Sequence, residues 1–563
     1  MGLSLFLSVL LLVVVSAVSG NRSFRNASTY ASVDVAVDGN SSNGTLNENY
    51  IGTNWLNPGT DIPLMKEIGV KTSRIAAGFD NTVNGSPVYN CQTKSWNSNP
   101  LDSMVQAGEQ AGAQDEIIIL ATPPCMVANP GSYPAKTLPP DPNYINDWED
   151  LVTQMAVHEI ETYGVTIFEI WNEPDWFAFW NGTQAQFFTL YQETALALEK
   201  AAQDTNTKIM IGGPTLANVL GIMDTNWLDP FLNFVATNNL PLDFLSWHLY
   251  GDDPFGGPSP NLGPICLIPS DEGSPPNPCY YKKDLSTSIY ASQTQVVKTE
   301  LANFPTLHPQ LWIDEWNLDA LYDPRMSTDF DASYILSSMW EAQSEGVDRM
   351  VFYDMSDGAN SPPPNGNFGM IDGNGNPKPS WYAFYDWSEM AGTILSDTAL
   401  PAQDPFGSGG VGAIATKASS GVIHLLLYDF VPYDPSGNYG MNSPTTTNAY
   451  VNVTVNNLNF QGYALSFSRI GPTPSDSPDP IGTYQNGSET FSAGLPMEGV
   501  LMATLTPSGP AVTTTPIKIA GALSPQTGKP FFGELLLSSF AILLGFLIAA
   551  RLALKRPRKK LKT

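Results

Sequence analysis

Residues 167–174 read Ile167-Phe168-Glu169-Ile170-Trp171-Asn172-Glu173-Pro174, a short apolar run that ends in an amide, a carboxylate and a proline. A run of this length closed by polar residues and Pro reads as a buried strand. Helix-like stretches lie on both sides of it, Tyr144–Tyr163 before and Gln184–Gln203 after. Strand alternating with amphipathic helix is the pattern of a parallel sheet. The same rhythm extends outward in both directions. Strands are expected at Tyr50–Asn54, Val70–Ile75, Glu116–Ala121, Thr166–Trp171, Lys208–Gly212, Phe244–His248, Gln310–Asp314 and Arg349–Tyr353, with further helices at Pro100–Ala113, Leu285–Phe304 and Asp329–Glu345. Eight strands with interleaved helices over residues 50–392 predict an α/β fold, a (β/α)8 TIM barrel. No GxGxxG follows the first strand, which argues against a dinucleotide-binding sheet.

After Gly392 the helical pattern stops. Val411–Thr416, Gly421–Tyr428, Ala449–Val455, Tyr463–Arg469 and Val500–Leu505 read as strands between Gly/Pro/Asn/Ser loops, a β-sandwich over residues 393–506. The polar segment 21–49 contains one alternating stretch, Ser32–Val37, that is expected to add a strand to that sandwich. Residues 507–530 are rich in Pro, Thr and Ser and read as a stalk.

Both ends carry membrane signals. Leu3–Val18 is an apolar run followed by small residues, so residues 1–20 are expected to be a signal peptide or an uncleaved anchor. Leu535–Leu554 is twenty residues long and interrupted only by Arg551, enough to span ~30 Å of hydrocarbon as a single helix. The basic tail 555–563 puts the C-terminus on the cytoplasmic side. The expected location is therefore the cell membrane, single-pass, with the barrel outside.

The formal net charge is −28, and seven of the 26 Lys and Arg residues fall within the last thirteen positions. What precedes them is strongly acidic, which disfavours a nucleic-acid partner. Four cysteines fit an oxidising compartment. Cys266 and Cys279 share one Pro/Gly-rich loop and are expected to pair, leaving Cys91 with Cys125. Nothing in the cysteine and histidine spacing suggests zinc, and no cofactor is expected. Eight Asn-x-Ser/Thr triplets, at Asn21, Asn26, Asn40, Asn43, Asn84, Asn181, Asn452 and Asn486, permit glycosylation without demonstrating it.

A barrel holds its active site at the C-terminal ends of its strands. Those ends here offer Arg74, Asn172, Glu173, His248, Tyr250, Glu315, Tyr353 and Asp357. Two glutamates end the fourth and seventh strands, the second in Leu311-Trp312-Ile313-Asp314-Glu315-Trp316-Asn317. Cleaving a glycosidic bond needs one protonated carboxylic acid for the leaving oxygen and one ionised carboxylate for the anomeric centre. Opposed strands of a barrel mouth can present that pair. Several residues read two ways: His248 lines a pocket or is a structural histidine, and Arg74 serves the site or an ordinary ion pair. Trp176, Phe177 and Trp180 stack on sugar or pack a loop, and Tyr353 and Asp357 are equally open.

The ordered series "FEIWNEPDWFAFW" (Phe168–Trp180), "FFTLYQETALALEKA" (Phe187–Ala201), "IMIGGP" (Ile209–Pro214), "PLDFLSWHLYGDD" (Pro241–Asp253), "WIDEWN" (Trp312–Asn317) and "NFGMIDGNGNPKPSWYAFY" (Asn367–Tyr385) resembles glycoside hydrolase family 39. This is the retaining β-xylosidase and α-L-iduronidase group of the (β/α)8 glycosidases. The resemblance covers roughly residues 50–390 and implies a retaining hydrolase of extracellular oligo- or polysaccharides that needs no cofactor. It makes Glu173 the acid/base and Glu315 the nucleophile. It makes Asn172 the partner of the sugar 2-hydroxyl and Arg74 the residue that keeps the nucleophile ionised, with His248 and Tyr250 lining the pocket. The chain departs from the family at Ile75-Ala76-Ala77-Gly78 and at Val351-Phe352-Tyr353-Asp354, both of which the resemblance implies would border the sugar subsite. A non-catalytic, membrane-tethered carbohydrate-binding or adhesion protein on the same barrel is the alternative.

Overall fold

The structure is a computed structural model that describes residues 30–511, except 55, 57–58, 60, 79–81, 84–85, 128–138, 177–178, 221–225, 252–286, 321–323, 358–367, 398–409, 431–447 and 472–481. The expected leader, the stalk beyond Ala511, the membrane span and the basic tail, together with Cys266, Cys279 and Phe177, lie outside the described residues. Among the described residues, no helix is long and apolar enough to cross a membrane.

All eight expected barrel strands are present: β1 Gly52–Asn54, β2 Thr72–Ala76, β3 Asp115–Leu120, β4 Ile167–Ile170, β5 Met210–Leu216, β6 Phe244–Tyr250, β7 Gln310–Asn317 and β8 Arg349–Phe352. Each pairs in parallel with its neighbours in chain order, and β8 closes the barrel on β1. Around it lie α1 Ile62–Glu67, α2 Asn99–Ala111, α3 Ile145–Tyr163, α4 Gln184–Thr205, α5 Leu228–Asn238, α6 Ser288–Leu301, α7 Asp329–Ser344 and α8 Pro379–Glu389. The ends of these helices are written locally. In α4 the Thr183 hydroxyl accepts from the Gln186 amide while the Gln186 side chain accepts from Thr183 N–H, a complete capping box. Helix α3 stops at Gly164, whose φ of 73° is cheap only without a Cβ.

The strand period of two gives the barrel interior its layers. At the floor, Ile117, Ile167, Phe244, Trp312 and Val351 form a closed apolar cluster, with the Phe244 and Trp312 rings stacked at 3.8 Å. Arg349 lies over the Trp312 ring at 4.7 Å and bonds Asp115 at 2.6 Å. Two residues along each strand the lining turns polar: Arg74 follows Thr72, Glu169 follows Ile167, Ser246 follows Phe244 and Asp314 follows Trp312, all of them buried. The next inward step reaches the mouth.

Two short hairpins, Thr82–Val83 with Ser86–Pro87 and Tyr89–Asn90 with Ser95–Trp96, follow β2, and the other strands form two five-stranded sheets. One is ordered Ser396–Asp397, Tyr30–Asp38, Asn448–Asn456, Ser488–Pro496, Thr483–Gln485. The other runs Thr393–Ile394, Gly410–Lys417, Ile423–Phe430, Val500–Ala511, Phe460–Ile470. The N-terminal strand pairs in parallel with Asn448–Asn456 over its whole length, so the sandwich takes strands from both ends of the described chain. Val35, Val37, Val451 and Val453 from one sheet meet Leu425, Leu427, Leu501 and Ala503 from the other in one dry cluster. The last strand continues to Ala511, five residues into the stretch read as stalk. Phe430 packs against Phe330 and Tyr334 of α7, at 5.4 and 5.9 Å between centroids, and joins the sandwich to the barrel layer. The Cys91–Cys125 disulfide is formed as expected.

Leu427 is fully buried between the two sheets. Leu427→Ala leaves a cavity there and should lower stability by about 2–5 kcal/mol, read as a fall in the denaturant midpoint of the chain.

Candidate active site

The residues at the barrel mouth are organised by one guanidinium. Arg74, on β2, is 1% exposed. Its Nε donates to Glu169 Oε2 at 2.7 Å, Nη1 to Asn54 Oδ1 at 2.9 Å and to Glu315 Oε2 at 3.1 Å, and Nη2 to Asn172 Oδ1 at 2.9 Å. Asp314 Oδ2 is 3.7 Å from Nε. Burial alone would lower the Arg74 pKa, but Glu169, Asp314 and Glu315 together raise it, so the cation is permanent.

Asp314 and Glu315 are consecutive, yet both approach Arg74. A regular strand would send them to opposite faces. The pairing explains the exception. Trp247 of β6 is opposite Ile313 and His248 is opposite Glu315, so Asp314 is the extra residue of a bulge. Asp314 is fully buried and its carboxyl is pushed well above the usual range, by burial first and by Glu169 second. Arg74 therefore faces three carboxyl groups, those of Glu169, Asp314 and Glu315, of which Asp314 is pushed toward its neutral form.

Glu315 is the more exposed of the site's two terminal glutamates, at 15% of its side chain. The Tyr250 hydroxyl donates to its Oε1 at 2.6 Å while Arg74 takes Oε2. The Glu315 carboxyl stands above its ordinary value: burial pushes it up, and the Arg74 cation and the Tyr250 O–H offset only part of that rise. Burial and the same carboxylate hold Tyr250 firmly protonated, and so a donor.

Glu173 follows β4 with a φ of 46°, and Trp171 and Thr215 also lie in the left-handed region, at 76° and 60°. Such backbone is costly for residues with a Cβ and persists where the surroundings over-determine it. Here Glu173 N donates to Thr215 O, Thr215 Oγ1 donates to Trp171 O, and Trp171 N donates to Leu120 O. The result turns the Glu173 side chain into the mouth, where its Oε1 is 2.6 Å from His248 Nδ1. His248 is fully buried, and burial together with Arg74 keeps its pKa well below the ordinary value, so the imidazole is neutral. Its Nε2 is 3.6 Å from Glu315 Oε2 and 3.8 Å from Asp314 Oδ1. A carboxylate oxygen of Glu173, a nitrogen of His248 and a carboxylate oxygen of Glu315 all lie within 4.8 Å of one another. Three such groups have the donor types of a metal site, but Arg74 and Tyr250 already occupy the Glu315 oxygens and a fixed cation stands beside them. The arrangement suits two carboxylates working on one bond.

Six of the residues expected from the sequence meet here: Arg74, Asn172, Glu173, His248, Tyr250 and Glu315. Tyr353 stands at the end of β8, half-buried, with its ring edge against Phe368 at 5.2 Å. Asp357 is held in an ion pair with Lys378 at 3.0 Å and accepts from the Gly369 amide. Trp180 is 3% exposed and packs edge-on against Trp171 and Phe187, at 5.2 and 5.7 Å, so its ring belongs to the core and offers no face to a sugar. Trp176 is half-buried, against Phe179. Of the departing segment 75–78, Ile75 is buried in the main core and Ala76 presents only a methyl group at the mouth. The readings from sequence missed Asn54, Glu169 and Asp314. Their available signal was a polar or charged residue inside an apolar strand, which is the informative kind of burial.

The description "Glycosyl hydrolases family 39" matches residues 123–425. A β-xylosidase of Geobacillus stearothermophilus is 27% identical over 269 residues, and one of Caldicellulosiruptor saccharolyticus is 26% identical over 263, each covering 45% of this chain and 48% of the relative. The chain thus spans about half the length of the curated relatives it matches. The crystal structure of a family 39 enzyme from Xanthomonas axonopodis pv. citri superposes with a TM-score of 0.62 at 20% identity, covering 87% of this chain and all of that one, a likeness of fold. With more than half its length matched and a closed barrel carrying two glutamates at the ends of β4 and β7, the chain belongs to glycosyl hydrolase family 39.

Proposed function

We propose that this chain is a retaining, β-xylosidase-like glycoside hydrolase acting on oligo- or polysaccharides by double displacement. The observation that carries the reading is the approach of the Glu173 and Glu315 carboxylates to within 4.8 Å across the mouth. Retaining enzymes hold their carboxyl groups about 5–5.5 Å apart, whereas inverting ones leave ~6.5–9.5 Å for a water. In this reading Glu315 attacks the anomeric carbon, and Arg74 and Tyr250 keep it ionised and fixed in direction. Glu173 gives a proton to the leaving oxygen and then takes one from the incoming water. Because Arg74 holds Asn172 by its carbonyl oxygen, the Asn172 NH₂ is turned away from the guanidinium, suited to bond a sugar hydroxyl. The β-xylosidase relatives support xylosides as first substrates. Action outside the cell, on a chain tethered by Leu535–Leu554, belongs to the same proposal; the apolar N-terminal run and the Cys91–Cys125 disulfide support it.

Glu315→Ala should abolish hydrolysis of an aryl β-xyloside, by ~10⁴-fold or more in kcat; turnover at the unaltered rate would refute the nucleophile. Glu173→Ala should cost ~10²–10⁴-fold with a poor leaving group and much less with dinitrophenolate, and an equal loss with both would remove Glu173 from proton transfer. Tyr250→Phe deletes a donor to the ionised form of Glu315. Its pKa then rises, so more of it is protonated at a given acidic pH, and the acid limb of kcat/KM moves to higher pH. A hydrogen bond to a charged group is worth about 1.5–3 kcal/mol, so the limb should move by about one to two units. An unmoved limb would separate Tyr250 from the titration.

A further inference from the structure

A second cluster lies far along the barrel's outer layer, between α2 and α3. Asp102 comes from the first turn of α2, and His158 and Glu159 from the last turns of α3. One carboxylate oxygen of Asp102, one ring nitrogen of His158 and one carboxylate oxygen of Glu159 lie within 4.8 Å of one another. Asp102 Oδ1 is 2.9 Å from His158 Nε2, and Ser98 Oγ donates to the other Asp102 oxygen at 2.9 Å, which fixes the carboxylate plane. The His158 ring is held edge-on by Trp96 at 5.6 Å and by Tyr163 at 6.2 Å, and Gln106 donates to the Tyr163 hydroxyl.

Glu159 is the anomaly. Its residue is 0% exposed and neither carboxylate oxygen has a hydrogen-bond partner, although both are buried beside the Asp102 carboxylate. Burying a carboxylate without donors, next to a second one, is among the costliest arrangements a protein holds, and a proton or a cation relieves it.

We propose that Asp102, His158 and Glu159 form a site for a single divalent cation of the zinc class, which ties α2 to α3 away from the catalytic mouth. One imidazole with two carboxylates is a donor set for a small borderline ion, whereas calcium takes six to eight oxygens. Zinc ligands at ~2.0–2.2 Å stand roughly 3.3–3.6 Å apart in a tetrahedron. That spacing falls between the 2.9 Å contact of Asp102 with His158 and the 4.8 Å limit of the cluster. Asp102 and His158 are 17% and 33% exposed, which leaves solvent access for the ion and for a fourth, water ligand. Ser98 then acts on the outer side of the Asp102 ligand, as metal-bound carboxylates usually require.

The test uses the chain without a polyhistidine tag, stripped with chelator and titrated with zinc chloride by calorimetry. One equivalent should bind, and at about a hundredfold excess over Kd the Tm should rise by about 2–5 °C, with no response to calcium chloride. Glu159→Gln keeps the side-chain volume and removes the buried charge, so the apo protein should fold with an unchanged or higher Tm while zinc binding is lost. His158→Gln, at a half-exposed position, should weaken binding at least tenfold without altering apo stability. No bound equivalent, or full binding retained in both variants, would overturn the proposal. Stabilisation by Glu159→Gln with no zinc uptake by the parent chain would also overturn it, and would assign Glu159 as a buried neutral acid.

Discussion

The Arg74 guanidinium is the constraint from which the rest of the mouth follows. Its donors bind strands β1, β4 and β7 and the turn after β4 to one planar group, through Asn54, Glu169, Glu315 and Asn172. A cation this deep is expensive to desolvate, and it is tolerated because acidic groups surround it. The polar layer above the apolar barrel floor is therefore a single electrostatic unit. Glu315 is aimed by the same fork that holds Asn172, so the proposed nucleophile and the Asn172 amide cannot shift independently. Rigid placement of charge before the substrate arrives is what stabilises a transition state most.

Strain supplies what the guanidinium does not. Trp171, Glu173 and Thr215 occupy left-handed backbone within two adjacent strand ends. They are locked by hydrogen bonds running from Leu120 through Trp171 and Thr215 to Glu173. The β4 turn can thus present Glu173 inward immediately after two residues that a relaxed strand would have directed otherwise. The bulge at Asp314 does the equivalent work on β7. In both places a local departure from ideal geometry brings a carboxylate to the mouth.

Those departures mark where reading the sequence stops. The strands of the barrel are legible because each is an apolar run between polar breaks, and the terminal glutamates of Ile167–Pro174 and Leu311–Asn317 stand out against that background. Asp314 is different: a bulge inserts one residue and reverses the facing of everything after it, and nothing in Trp-Ile-Asp-Glu-Trp announces it. Glu169 sits in plain view among apolar neighbours, but its partner is Arg74, 95 positions away. Trp180 and Trp176 share a motif, and only the packing of Trp171 and Phe187 separates the core ring from the half-buried one. Helices α1, α5 and α8 escaped notice for simpler reasons. Helix α1 is six residues long, and α8 begins in a Pro/Gly-rich stretch that reads as loop. The strand Ser488–Pro496 is masked by Ser488, Thr490 and Ser492 at its half-buried and exposed positions and by the buried Gly494.

The two glutamates proposed for catalysis differ in what surrounds them, and that difference supports separate roles without appeal to motif. Glu315 has a permanent cation on one oxygen and a phenol O–H on the other, both of which favour the anion. Glu173 Oε1 meets an imidazole that burial and Arg74 keep uncharged. A neutral imidazole can donate to an ionised Glu173 or accept from a protonated one, so this contact permits both states that an acid/base must visit. When Nδ1 accepts from Glu173, the ring proton is on Nε2, which faces Glu315 Oε2 at 3.6 Å and Asp314 Oδ1 at 3.8 Å. Under the proposed mechanism, protonation of Glu173 then places a donor beside an ionised Glu315, which is the pair of states that attack requires.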